Sequence, residues 1–117
     1  MQRSFEAYIW DIQDRGRQII EFVDSSSEED YLRSNLLRAA VERNLEVIGE
    51  AILLASRHFP DQLDRMPDRY KFLAVQNQLA NGYNDLDHHQ IWIMIQQSLP
   101  QLLQMATEIL ERKPPKV

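Results

Sequence analysis

The chain has 117 residues, of which 44% are hydrophobic and 26% charged, enough for one globular domain that buries its own core. Its net charge of −5 argues against autonomous nucleic-acid binding by bulk electrostatics, so such a contact would need a local patch or one built with a partner. The absence of cysteine excludes disulfides and thiolate metal sites.

No stretch reaches the roughly 18 consecutive apolar residues of a membrane span. The opening Met1-Gln2-Arg3-Ser4-Phe5-Glu6 lacks the apolar run of a signal peptide. The expectation is a cytoplasmic protein with no membrane partner.

In residues 5–23, Phe5, Tyr8, Ile9, Ile12, Ile19, Ile20 and Val23 recur at helical spacing with a polar opposite face. Asp24-Ser25-Ser26-Ser27 breaks the pattern. A serine followed by Glu28-Glu29-Asp30 reads as a helix cap with acidic residues in the first turn, where the helix dipole favours them. From Leu32 to about Phe59 the apolar positions predict a long helix, which a short one over residues 28–33 can precede. Gly49 inside it costs roughly 1 kcal/mol against alanine, so a close helix–helix approach is expected there.

Pro60 and Pro67 bracket a loop. A third helix is expected from Asp68 to Leu79 or Ala80, with Asn81-Gly82 as its C-terminal cap. Asn-Gly also suits a hairpin turn, but the flanking residues do not alternate as strands would. Asp85 or Asp87 caps a last helix carrying Ile91, Trp92, Ile95, Leu99, Leu102, Leu103, Ala106, Ile109 and Leu110, with a kink or break expected at Pro100. Glu111 to Val117 reads as frayed.

The expected fold is therefore all-α: an antiparallel four-helix bundle, with room for a short extra helix. Residues 1–112 would form the domain and 113–117 a flexible tail. Ile52-Leu53-Leu54 and Ile91-Trp92-Ile93-Met94-Ile95 are apolar over more than one helix face, which predicts a homodimer.

Two segments carry a resemblance. The first is Ala40-Val41-Glu42-Arg43-Asn44-Leu45-Glu46-Val47-Ile48-Gly49-Glu50-Ala51. The second runs from Gln76 to Pro100 and includes Asn77, Leu79, Gly82-Tyr83, Asp87, Trp92 and Leu99-Pro100. Together they resemble the HepT-like branch of the HEPN superfamily over nearly the whole chain. The resemblance implies a helical, dimeric, metal-independent RNA endonuclease, with no cofactor. It would act as the toxin of a pair whose antitoxin is a small nucleotidyltransferase able to place AMP on the motif tyrosine. The family motif is Arg-Asn-x-x-x-His-x-Tyr. Carried onto this sequence, its arginine falls on Gln76, its asparagine on Asn77, its histidine on Asn81 and its tyrosine on Tyr83.

Two of those four positions differ in ways that matter chemically. RNA cleavage without metal needs a group that moves the proton of the 2′-hydroxyl or of the leaving oxygen, and histidine suits that task near neutral pH. It also needs positive charge on the phosphate, which arginine supplies as a fork of donors. Asn81 has no useful proton at neutral pH and Gln76 has no charge. The losses correspond to about 10²–10⁴ in rate for acid–base help and about 10²–10³ for the charge clamp.

Other residues have plainer readings. His88 and His89 are adjacent and point about 100° apart on a helix, so they do not suit one metal ion; either could stand in for the missing histidine if it reached the cleft. His58 suits the negative end of the long helix. Glu46 and Glu50 share a helix face and would line the cleft under the resemblance, or simply be exposed. Trp92 belongs to the core or a dimer interface. Tyr83 suits either surface packing or modification.

Three functions remain open. One is a HepT-like binding protein with impaired nuclease activity through Gln76, Asn81 and Tyr83, engaging a nucleotidyltransferase, a second copy and RNA. Another is an active ribonuclease working through His88 or His89. The last is a structural helical dimer.

Overall fold

A computed structural model describes residues 3–82 and 85–113 of the chain. Ser4 starts the first helix, its hydroxyl accepting the Ala7 N–H at 3.1 Å. That helix, α1 (Phe5–Val23), carries Ile9, Ile12 and Ile19 fully buried along one stripe. Ser27 then opens a capping box: its hydroxyl accepts the Asp30 N–H at 3.1 Å, and the Asp30 carboxylate accepts the Ser27 N–H at 2.9 Å. The short helix α2 (Glu28–Arg33) that follows buries only Tyr31.

The long helix begins later than its periodicity predicts. Leu32 belongs to α2, and α3 spans Asn35–His58. Ser34 leaves the helical region (φ −101°, ψ 105°) and caps the new helix through the Leu37 N–H at 3.0 Å. Arg38 reaches back to the Tyr31 and Leu32 carbonyls at the end of α2. Arg57 and His58 occupy the last turn of α3, beside its negative end.

A single turn of 3₁₀-helix, Pro60–Gln62, occupies part of the expected loop. Helix α4 (Arg69–Ala80) follows, and Asp87 caps α5 (His88–Arg112) by accepting the Gln90 N–H at 3.1 Å. The helix continues through Pro100 without the expected break. Pro100 and Gln96, whose carbonyl loses its partner, both lie on the exposed face; water can satisfy that carbonyl, so the missing bond is tolerated. Glu111 and Arg112 are helical rather than frayed, and residues 114–117 of the expected tail lie outside the described residues.

Among the described residues, four long helices and one short one thus make the all-α bundle. Helix α3 is central, packing on α1 and α4, while α1 also packs on α5 and α2 bridges α3 and α5. Leu45, Ile48 and Ile52 of α3 meet Ile95, Leu99 and Leu102 of α5 and the α1 isoleucines in one core. Each such side chain stabilises by roughly 1.5–3 kcal/mol. Trp92 is half-buried against Tyr31, ring centroids 5.4 Å apart. Among the described residues, the large exposed apolar ones are Trp10, Ile20, Phe22, Leu32, Leu36 and Tyr70, whereas Leu53 and Ile93 are half-buried. Among the described residues, no helix is long and apolar enough to cross a membrane.

Candidate functional site

Helix α4 lies against α3 so closely that only glycine fits at the crossing. A β-carbon on Gly49 would stand 2.2 Å from the Gln76 β-carbon and 3.1 Å from the Phe72 carbonyl oxygen. The close approach expected at Gly49 is therefore present, and it seats Gln76 on α3. The Gln76 amide donates to Glu50 at 3.5 Å, the outer limit of a hydrogen bond. A neutral amide is all that this position offers to a neighbouring carboxylate.

Asn81 is the C-cap residue of α4, and Gly82 follows at φ +69°, where an L side chain would be strained. The Asn81 side chain folds back, donating to the Asn77 carbonyl at 2.7 Å and to the Asn77 side-chain oxygen at 2.9 Å. So Asn77 and Asn81 are joined to each other on an exposed surface and serve the helix end. Tyr83 lies outside the described residues. Gln76, Asn77 and Asn81 thus share one helix but not one pocket: Gln76 faces Glu50, while Asn81 closes the helix.

The end of the motif stretch does line a cavity of about 400 Å³. Leu79 and Gly82 form one wall, Arg38 and Glu42 of α3 another, and His88 of α5 the third. His88 Nδ1 stands 3.9 Å from the Glu42 carboxylate and is buried with no hydrogen-bond partner. Tyr31 Oη is the other such orphan among the described residues. Burial pushes the Tyr31 phenol above its ordinary range, the Glu42 charge adds to that and the Arg38 charge opposes it. The His88 orphan thus faces the Glu42 carboxylate, and the Tyr31 phenol feels its charge.

The two histidines separate. His89 turns away to Glu28, 2.9 Å distant, while His88 enters the cavity. Glu46 is bound by Arg43 at 2.8 Å, an ordinary surface pair, and Glu50 meets Gln76. Glu42 and Arg38 are the residues that sequence reasoning passed over. Glu42 sits four residues before Glu46 on the same helix face, so the α3 acidic stripe was one position longer than the pair singled out.

Comparison with known proteins gives a consistent relationship. The family described as Ribonuclease HepT-like matches residues 12–109. "Putative RNase MJ1380" of Methanocaldococcus jannaschii is 25% identical over 101 residues, covering 86% of this chain and 92% of its own. "Putative RNase TTE0752" of Caldanaerobacter subterraneus is 28% identical over 95 residues, covering 81% and 84%. "Probable ribonuclease HepT" of Thermococcus cleftensis is 29% identical over 105 residues, covering 87% and 92%. No solved structure matches the chain.

Proposed function

The chain belongs to the HepT-like ribonuclease family, and from that premise we propose that it keeps the family fold while its motif no longer runs RNA cleavage efficiently. The observation that carries this is the chemistry of Gln76 and Asn81. One offers an uncharged amide already directed at Glu50, and the other an amide committed to its own helix end. Neither supplies a permanent cation or a proton that moves near neutral pH. Both are polar and similar in size to arginine and histidine, so the substitutions leave the cleft intact.

The remaining work of the protein is binding. RNA lies along the cleft between α3, the end of α4 and the start of α5. The partners are a second copy of the chain and a small nucleotidyltransferase antitoxin, with Tyr83 the residue open to AMP transfer. The net charge of −5 keeps RNA affinity modest unless a partner adds positive surface.

The test is cleavage of a single-stranded RNA oligonucleotide by purified protein with chelator present. Wild type is expected to cut slowly, and a Gln76→Arg, Asn81→His double variant at least about 10²-fold faster. A wild type as fast as the double variant would overturn the reading.

A further inference from the structure

We propose that His88, whose inner ring nitrogen faces Glu42, is the proton-transfer residue of this cleft and accounts for the slow RNA cleavage that the altered motif leaves. The inference rests on the reading above that RNA lies in the cleft, and it names a catalytic residue outside the motif.

The two ring nitrogens of His88 occupy different environments. Nδ1 is buried and faces Glu42 at 3.9 Å. Nε2 is neither hydrogen-bonded within the described residues nor among the buried unpartnered atoms, so it lies at the open side of a ring that is 34% exposed. A carboxylate 3.9 Å from the inner nitrogen favours, by its charge rather than by a hydrogen bond, the tautomer with its proton on Nδ1, which leaves the lone pair of Nε2 directed outward. That is the arrangement a general base requires. The cavity it enters is large enough for a ribose and its phosphate and is lined by Leu79 and Gly82 of the motif stretch. Arg38 provides a fixed cation on the same wall, its guanidinium held by the Tyr31 and Leu32 carbonyls and by the Asn35 side chain. Proton acceptor and positive charge, the two functions that Asn81 and Gln76 lack, therefore stand together one helix away.

The step is an in-line transesterification. Nε2 takes the proton of the ribose 2′-hydroxyl as that oxygen forms a bond to phosphorus. The bond from phosphorus to the 5′-oxygen breaks, its electron pair stays on that oxygen, and water donates the proton that completes the 5′-hydroxyl. The products are a 2′,3′-cyclic phosphate and a 5′-hydroxyl end, and the imidazolium returns its proton to solvent. Glu42 is a positioning residue that faces the inner nitrogen and sets which ring nitrogen carries the proton.

The experiment compares wild type, His88→Gln, His88→Ala, Glu42→Gln and Glu42→Asp, each alone, on a single-stranded RNA oligonucleotide with chelator present. Affinity is read separately on the all-2′-deoxy strand. The residual rate is expected to fall at least about 30-fold in His88→Gln, with affinity for the deoxy strand within twofold of wild type. Added imidazole restores cleavage in His88→Ala, which a structural role for the ring would not produce. Glu42→Gln lowers kcat about tenfold at unchanged KM, and Glu42→Asp recovers part of it. Absence of cleavage above buffer, or a rate unchanged by His88→Gln, overturns the inference. Placing His88→Gln in the Gln76→Arg, Asn81→His background separates the two readings. If that background is active while His88→Gln leaves the wild-type rate untouched, only the present inference fails. If the double variant gains nothing yet the wild-type rate depends on His88, the motif reading fails and this one stands.

Discussion

Gly49 and Gln76 meet so closely across α3 and α4 that the position-76 β-carbon occupies the place a side chain at position 49 would need. Gly49→Ala gains up to about 1 kcal/mol in helix propensity, but its methyl would stand 2.2 Å from Gln76 Cβ. That atom is fixed to the backbone and cannot rotate away, so α4 must shift, at a cost of about 1–3 kcal/mol. The expected result is a net loss of about 1 kcal/mol in urea denaturation. Gln76→Gly in the same chain removes the opposing carbon, and a double-mutant cycle is expected to show coupling above about 0.5 kcal/mol. Additive effects would mean that the helices do not touch here.

Gly49 also shows how far the sequence was legible. A glycine inside an otherwise regular apolar helix is unfavourable alone, so a close contact was the natural reason for it, though not the identity of its partner. Caps were readable for the same reason: Ser27, Asn81-Gly82 and Asp87 have side chains or backbone freedom that suit helix ends. The start of α3 was not readable. The short helix over residues 28–33 was readable, but apolar spacing carries Leu32 into the long one, and the boundary is set by Ser34 and by Arg38 reaching back to α2. Of the kink or break expected at Pro100 the break does not occur, because its effect depends on which face it occupies. In the candidate site, the motif stretch fixed which residues to inspect. That His88 rather than His89 meets α3 depends on how α5 is rotated against α3, which no local pattern encodes.

The capping box of α2 makes its stability depend on acid pH. The Ser27 backbone N–H, and then its hydroxyl, hold the Asp30 carboxyl below its ordinary range. A carboxyl lowered in the folded state stabilises above its unfolded pKa of about 3.9, and that contribution is lost as pH falls through the lower folded value. Protection of the Ser27 and Asp30 amides against exchange, taken relative to the intrinsic rate at each pH, is expected to fall below about pH 4. In Asp30→Asn that protection should already be lower at neutral pH and show less change on acidification. Equal pH profiles for the two proteins would show that the box contributes nothing.

Tyr31 gives the opposite sign at the other end of the scale. Its ring is fully buried and its hydroxyl has no partner, so the phenol carries a desolvation cost with no hydrogen bond to offset it. Tyr31→Phe is expected to be neutral or stabilising by up to about 1 kcal/mol at pH 7, with the contact to Trp92 kept. Because burial raises the folded pKa, the wild type keeps the proton where the unfolded chain loses it. Folding therefore weakens as pH rises above the ordinary tyrosine value of about 10. Tyr31→Phe should flatten that alkaline decline in thermal melts. A loss of more than about 1 kcal/mol at neutral pH would show that the hydroxyl has a partner in solution.

Asp68 joins α4 to α5 from a backbone conformation that most residues resist. It sits at φ 56° and ψ 23°, and instead of capping its own helix its carboxylate accepts the Ser98 hydroxyl at 2.7 Å. Ser98 is only 2% exposed, so it depends on that acceptor. Asp68→Asn keeps both an acceptor and tolerance of the left-handed region, and should cost little. Asp68→Gly orphans the serine, at a cost of about 1 kcal/mol, but releases the strain of about 1–2 kcal/mol that a β-carbon carries at positive φ. Asp68→Ala orphans the serine and keeps that strain. A urea midpoint for Asp68→Ala below those of both other variants checks both contributions. Ser98→Ala should destabilise wild type yet cost almost nothing after Asp68→Gly, because the orphaned hydroxyl is then the group removed. If Ser98→Ala costs the same in both backgrounds, the bond between Asp68 and Ser98 does not hold the start of α4 against α5.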